Sequence, residues 1–179
     1  MIRAAVSLAL LTASSLALLS CGEEAPGPRL PGWGPACVSG TYWGRGDTGD
    51  NLMHPGRACI SCHTARRRGP RFTVAGTVFN DFHEEDDCNG NGGRPGARPE
   101  IEVTDASGRP FFIIANSVGN FYTTHAFQLP LQRVRVFDGN GRVAEMGSPP
   151  PHGDCNACHT REGTTTATGM SPGRIVVMP

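Results

Sequence analysis

The chain contains no lysine: its 16 basic residues are all arginine, set against 16 acidic residues, so the formal net charge is zero. A balance of that kind implies no polyanion partner, nucleic acid included. No phosphate loop, His-Glu-x-x-His signature or nucleophile paired with a base appears, which removes those enzyme classes. One long apolar run occurs, over residues 4–19, and it breaks at once into CGEEAPGPRLPGWGP, too short and too abruptly ended for a membrane span. Room for long helices is also lacking. With 24 Gly and 15 Pro in 179 residues, composition points away from a helical bundle and toward short strands joined by loops.

What is present begins with a targeting pattern. Residues 1–20, MIRAAVSLALLTASSLALLS, carry one early charge at Arg3 and then a Leu/Ala-rich run, the pattern of a signal peptide. LLSC, residues 18–21, resembles the lipobox of bacterial lipoproteins, with Leu18, a small Ser20 and then Cys21. The resemblance implies cleavage before Cys21 and acylation of it. Because Gly22 rather than Asp follows, it also implies a tether to the outer membrane, on its periplasmic or cell-surface side. Several acyl chains hold where one would not. Export places the remaining cysteines in an oxidising compartment.

Composition divides the mature chain. Residues 21–52 read as a Gly/Pro-rich linker interrupted by Trp33, Tyr42 and Trp43, aromatics of the kind that pack back onto a domain. Residues 53–70 and 149–179 carry two Cys-x-x-Cys-His segments, the second with a short closing strand at RIVVM (174–178). Between them, residues 71–148 alternate apolar and polar positions: RFTVAGTVF, three runs within 100–127 broken by DASG and NSVGN, and RVRVFDGNGRVAEM with Arg outward and Val inward. Period-2 alternation punctuated by Asp/Asn/Gly turns predicts hairpins of a mainly β, small antiparallel sandwich.

The chemistry lies in CISCH (59–63) and CNACH (155–159), the same unit repeated 96 positions apart. Seven Cys and six His in 179 residues make accident a poor explanation of two copies. In c-type haem attachment, two thiols on one turn form thioethers with the porphyrin and the following imidazole reaches the iron. That assigns Cys59, Cys62, Cys155 and Cys158 to covalent attachment and His63 and His159 to proximal ligation. A four-thiolate zinc site fits the cysteines but leaves both histidines unexplained. A thioredoxin-like redox pair wants a βαβ context that is absent, and a disulfide across a two-residue gap is strained. With four cysteines on haem and Cys21 on lipid, Cys37 and Cys88 remain as a candidate disulfide.

VAGTVF, IEVTDASGRP, NSVGNFY and VRVFDGNGR, in that order, resemble the carboxypeptidase regulatory-like sandwich domains over about residues 71–146. The resemblance implies a seven-strand Greek-key type fold and an accessory module without catalysis of its own. MHPGRACISCHT, HEEDDCNG, GDCNACHT and PGRIVV extend it: residues 53–177 resemble a group of exported bacterial proteins with such a sandwich between two haem-binding motifs. In that group the first motif follows Met-Asn-Pro-Gly. Here His54 stands where Asn does, and the ligand assignment at that point stays open.

The expectation is therefore a dihaem c-type cytochrome, lipid-anchored and exported, passing single electrons between redox protein partners of the cell envelope. The alternatives are a dihaem peroxidase or reductase with an open haem face, and a zinc-stabilised envelope binding protein. Distal-ligand candidates are Met53, His54, His83, His125, Met146 and Met170; His152 is too close to Cys155 to reach the far face, and Met178 is a further thioether. ARRRGPR (65–71) suits haem propionates, an acidic partner or plain solvation. DCNGNG (87–92) opens like a calcium loop, but the closing Glu falls on Arg98, which argues against calcium.

Overall fold

The computed structural model describes residues 36–166 and 169–177. The signal peptide, the lipobox with Cys21, Trp33 and Met178 lie outside the described residues. In chain order the elements are α1 (Cys59–Arg66), β1 (Val74–Phe79), β2 (Glu100–Thr104), β3 (Pro110–Ile114), β4 (Asn120–Thr123), β5 (Arg133–Phe137), β6 (Val143–Glu145), α2 (Cys155–Cys158), β7 (Thr164–Thr166), β8 (Gly169–Ser171) and β9 (Ile175–Val176). The fold is mainly β, as the alternation predicts.

Turn chemistry explains where the strands stop. Asp105 accepts the Ser107 amide and hydroxyl through Oδ1 (2.9 and 2.5 Å) and closes β2 onto β3. Asn116 Oδ1 accepts the amides of Val118 and Asn120, both at 3.1 Å, and leads into β4. Asp138 Oδ1 accepts those of Asn140 and Arg142, both at 2.8 Å, between β5 and β6. Each is a short polar side chain mimicking a backbone turn.

Two open sheets result, ordered β4-β1-β9 and β3-β2-β5-β6, with β7-β8 as a separate hairpin. Val74, Val78 and Phe121 of the first sheet pack with Ile101, Val103, Ile113, Val134 and Val136 of the second in one apolar cluster. On the other face of the second sheet, Glu102 lies under Arg133 and Arg135, which hold its carboxyl below the usual range against the opposing effect of burial.

Two features depart from expectation. All six residues of β1 are buried, although its sequence alternates like a strand with one wet face. The cause is a second cover: the cysteine-bearing segments close over the side facing away from the core. The closing strand is only two residues long and pairs parallel to β1, Val78 with Ile175 and Phe79 with Val176. Residues 36–52, expected as linker, also lie against the domain. The Trp43 amide donates to Asp87 O (2.7 Å), its ring is 6 % exposed, and a disulfide joins Cys37 to Cys88.

Candidate functional site

In α1, Cys59, Cys62 and His63 stand at i, i+3 and i+4, on one helix face. Ala58 at the N-cap offers no capping side chain, so the first-turn amides need another acceptor. Asp154, 93 residues downstream, supplies it: Oδ2 accepts the Ser61 amide at 2.8 Å and its hydroxyl at 2.7 Å. His63 donates from Nδ1 to Pro70 O (3.0 Å) and packs on Phe72, ring centroids 4.9 Å apart. Gly69 permits that return. Its φ is +76°, and a Cβ there would sit 2.9 Å from His63 Cε1.

The second unit is built into the edge of β1 rather than laid against it. Gly153 O accepts the Ala75 amide (2.9 Å), and Asn156 Oδ1 accepts the Thr77 amide (3.0 Å), after which β9 takes over the same edge. The side chain of Asn156 thus fills a ladder position that a strand would otherwise occupy. Its Nδ2 donates to Arg57 O (3.0 Å) and to Thr77 Oγ1 (3.1 Å), tying the second unit to the chain just before the first. The Thr77 hydroxyl also accepts the Gly56 amide (3.0 Å) and donates to Asn120 Oδ1 (2.8 Å). Gly76 permits the approach, since a Cβ would lie 2.9 Å from Cys155 Cβ. His159 is fixed as His63 is, with Nδ1 3.0 Å from Gly173 O.

Each unit opens on its own cleft. The first, about 1040 Å³, is walled by Cys59, Cys62, His63, Met53, Phe72 and Tyr122 among others. The second, about 410 Å³, is walled by Cys155, Cys158, His159, Met146, Met170 and Phe121 among others. Both volumes are of the order that ligand sites occupy, about 300–1,000 Å³. A carbonyl can only accept, so the bonds to Pro70 O and Gly173 O call for the proton on Nδ1; the Ser171 hydroxyl, 2.9 Å from His159 Nδ1, fits that tautomer by donating to Gly173 O (2.8 Å), and Nε2 then keeps the lone pair a metal takes. Burial lowers the His159 pKa, opposed by its bond to Gly173, and favours the neutral ring.

The six distal candidates separate clearly. Met53 lies in the first cleft, Met146 and Met170 in the second. His54 also borders the first cleft, but Nδ1 faces Asp87 Oδ1 and Nε2 faces Asp47 Oδ1, both at 2.9 Å, so carboxylates occupy both nitrogens. Its backbone is left-handed, φ 47°, a conformation in which Asn, Asp and His are enriched. The turn accounts for residue 54. His83 is exposed, with Nδ1 2.8 Å from Arg161 O, and His125 stacks on Phe111 with centroids 4.2 Å apart; neither lines a cleft. His152 accepts the Asp154 amide through Nδ1 (3.2 Å).

None of the four motif cysteines is in a disulfide. Burial, with Asp154 adding to it, pushes Cys59 and Cys155 up to about 12. A redox-active pair needs the opposite shift, toward thiolate. Among the described residues, one group of three metal-type side chains has its ligand atoms within 4.8 Å of one another: Cys37, Glu84 and Cys88. Both of its sulfurs are spent in the disulfide, and the motif thiols form no such cage. Asp87, first residue of the calcium-like loop, is held below the carboxylate range despite burial because His54 and Arg57 engage it, Arg57 Nη2 at 2.6 Å. Of the arginine run, Arg66 lines the first cleft and pairs with Asp47.

Sequence reasoning missed the residues that join the two units: Asp154, Ser61, Asn156, Thr77 and Arg174. A faint signal was available in the polar Asn156, standing where an apolar spacer would do. The chain matches no protein-family model, no curated protein and no solved structure.

Proposed function

We propose that the protein is a dihaem c-type cytochrome that carries single electrons at the bacterial cell envelope. One observation carries the proposal: each pair of thiols outside the disulfide borders a separate cleft, beside a histidine whose Nδ1 bonds a backbone carbonyl. Cys59 and Cys62 hold one haem by thioether bonds, Cys155 and Cys158 the other, and His63 and His159 supply the proximal imidazoles. Bound haem supplies an Fe(III)/Fe(II) couple, taking one electron from a reduced donor protein and passing one to an oxidised acceptor protein. Met53 in the first cleft, and Met146 or Met170 in the second, serve as distal thioethers. Phe72 and Tyr122 shield the first site from water, and Phe121 with the sandwich core shields the second. Acylated Cys21 tethers the domain to the membrane.

Protein from a host competent in cytochrome c maturation is expected to stain for haem and to show an intact mass raised by two haems. Cys59→Ala/Cys62→Ala should remove one of them. A colourless protein with no added mass overturns the proposal.

The volume of the first cleft favours a second reading, a peroxidase or reductase whose first haem has an open face. Cyanide separates the two: an altered spectrum at one haem supports the open face, and unchanged low-spin spectra at both support the electron carrier.

A further inference from the structure

Arg174 is the one side chain named above that stands in the wall of both clefts. It is 2 % exposed and permanently charged, and a cation withdrawn from water that far needs a full set of partners. It has them. Nε donates to Glu84 O (2.9 Å), Nη1 to Gly56 O (2.9 Å) and His159 O (3.3 Å), and Nη2 to Asp86 Oδ1 (2.6 Å). Its guanidinium carbon lies 5.1 Å from the centroid of Phe79. The Pro-Gly turn before the first unit is shaped to admit it: a Cβ on Gly56 would come within 3.1 Å of that carbon.

Three of the four acceptors are neutral carbonyls. The fourth, Asp86, is the only charged group among these acceptors, and its side chain is 56 % exposed, so water screens it more than it screens the arginine. Arg174 therefore places a weakly screened positive charge in low dielectric beside both clefts, acting in the opposite sense to the buried carboxylate of Asp154 between the same units. Structural need alone does not call for that charge, because neutral donors satisfy carbonyls as well.

We propose that Arg174 is a positioning residue shared by both haem sites, whose buried charge raises the reduction potentials of the two together. The proposal rests on the dihaem reading. A fixed cation disfavours the ferric state, which carries one more positive charge than the ferrous, so the potential rises. Because the charge borders both clefts, it acts on both sites with the same sign.

The test is a spectroelectrochemical titration of the full-length mature holoprotein, with haem content read by intact mass on the same sample. Arg174→Gln should lower both midpoint potentials, and Arg174→Lys should return both toward the parent values. Asp86→Asn leaves the guanidinium in place and removes its counter-charge. It should raise both potentials, that of the first site more, since Asp86 lines the first cleft alone. If Arg174→Gln does not accumulate, Asp86→Asn decides on its own. Unmoved potentials in a variant carrying two haems, or movement at one site only, overturn the proposal. Absence of haem from the parent protein overturns the dihaem reading instead, and is seen before any potential is measured.

Discussion

The two Cys-x-x-Cys-His units share a motif and are held in opposite ways. The first rides on a two-turn helix outside the sheet, and its positioning contacts come from elsewhere: Asp154 caps it, Asn156 holds the carbonyl of Arg57, and Arg174 braces the turn that leads into it. The second belongs to the sheet, with Gly153 and Asn156 occupying the free edge of β1. The dependence runs one way. The second unit supplies geometry to the first and takes its own from the scaffold, so identical spacing in the sequence conceals a hierarchy in the fold.

The strongest challenge to that hierarchy is Asn156→Ala. It leaves the Thr77 amide and the Arg57 carbonyl without partners beside the core, and buried unsatisfied groups cost about 1–3 kcal/mol each. A loss of about 3 kcal/mol in denaturant unfolding is expected and, on the dihaem reading, disturbed spectra at both haems. Ile60→Ala, the equivalent position of the first unit, should cost far less and, on the same reading, touch the first haem alone. Equal effects would mean that the two units are held alike.

A smaller effect is expected from Asp154→Ala, which removes the cap of α1. Cap losses run to about 1 kcal/mol, and here the cost is softened because Asp154 Oδ1 is itself buried without a partner. Amide exchange over residues 59–66 should speed up while that over β1 holds. Equal acceleration in both segments would break the one-way dependence.

The smallest effect is one of pH. Asp87 has a folded pKa below its unfolded value, so its clamp on His54 and Arg57 contributes stability that is complete above about pH 3.9 and is lost as pH falls through the depressed folded value. The edge contacts of the second unit are amide, carbonyl and hydroxyl groups that do not titrate there. On the dihaem reading, acid should therefore perturb the first haem's absorption before the second's, and the reverse order would contradict the comparison.

Local physics was legible in the sequence. DASG, NSVGN and DGNG marked the turns because an Asp or Asn side chain closes each within four residues, and alternation marked β2 and β5 because their neighbours in space are also neighbours in pattern. The paired thiols and histidines were legible for the same reason, since their chemistry is set by spacing along one turn. What stayed hidden depends on distant partners. β1 reads as a strand with one wet face because nothing in VAGTVF announces its second cover. Asp154 as a cap, Asn156 as a ladder residue and Arg174 as a brace have no signature until the chain closes. His54 was open as a ligand in the sequence; only the two carboxylates on its ring nitrogens remove it.

The long reach of those contacts bears on the order of events in the making of the protein. A chain emerges N-terminus first, so Ser61, between Cys59 and Cys62, precedes by 93 residues the carboxylate that caps its helix, and Gly56 precedes by 118 the arginine that braces it. The first unit spends the whole of that interval unfinished, with a Cys59 thiol that burial has not yet pushed toward 12. On the dihaem reading, its window for haem attachment is the period before closure. The contacts of Arg174 and of the strand that follows it, to Val176, complete the closure.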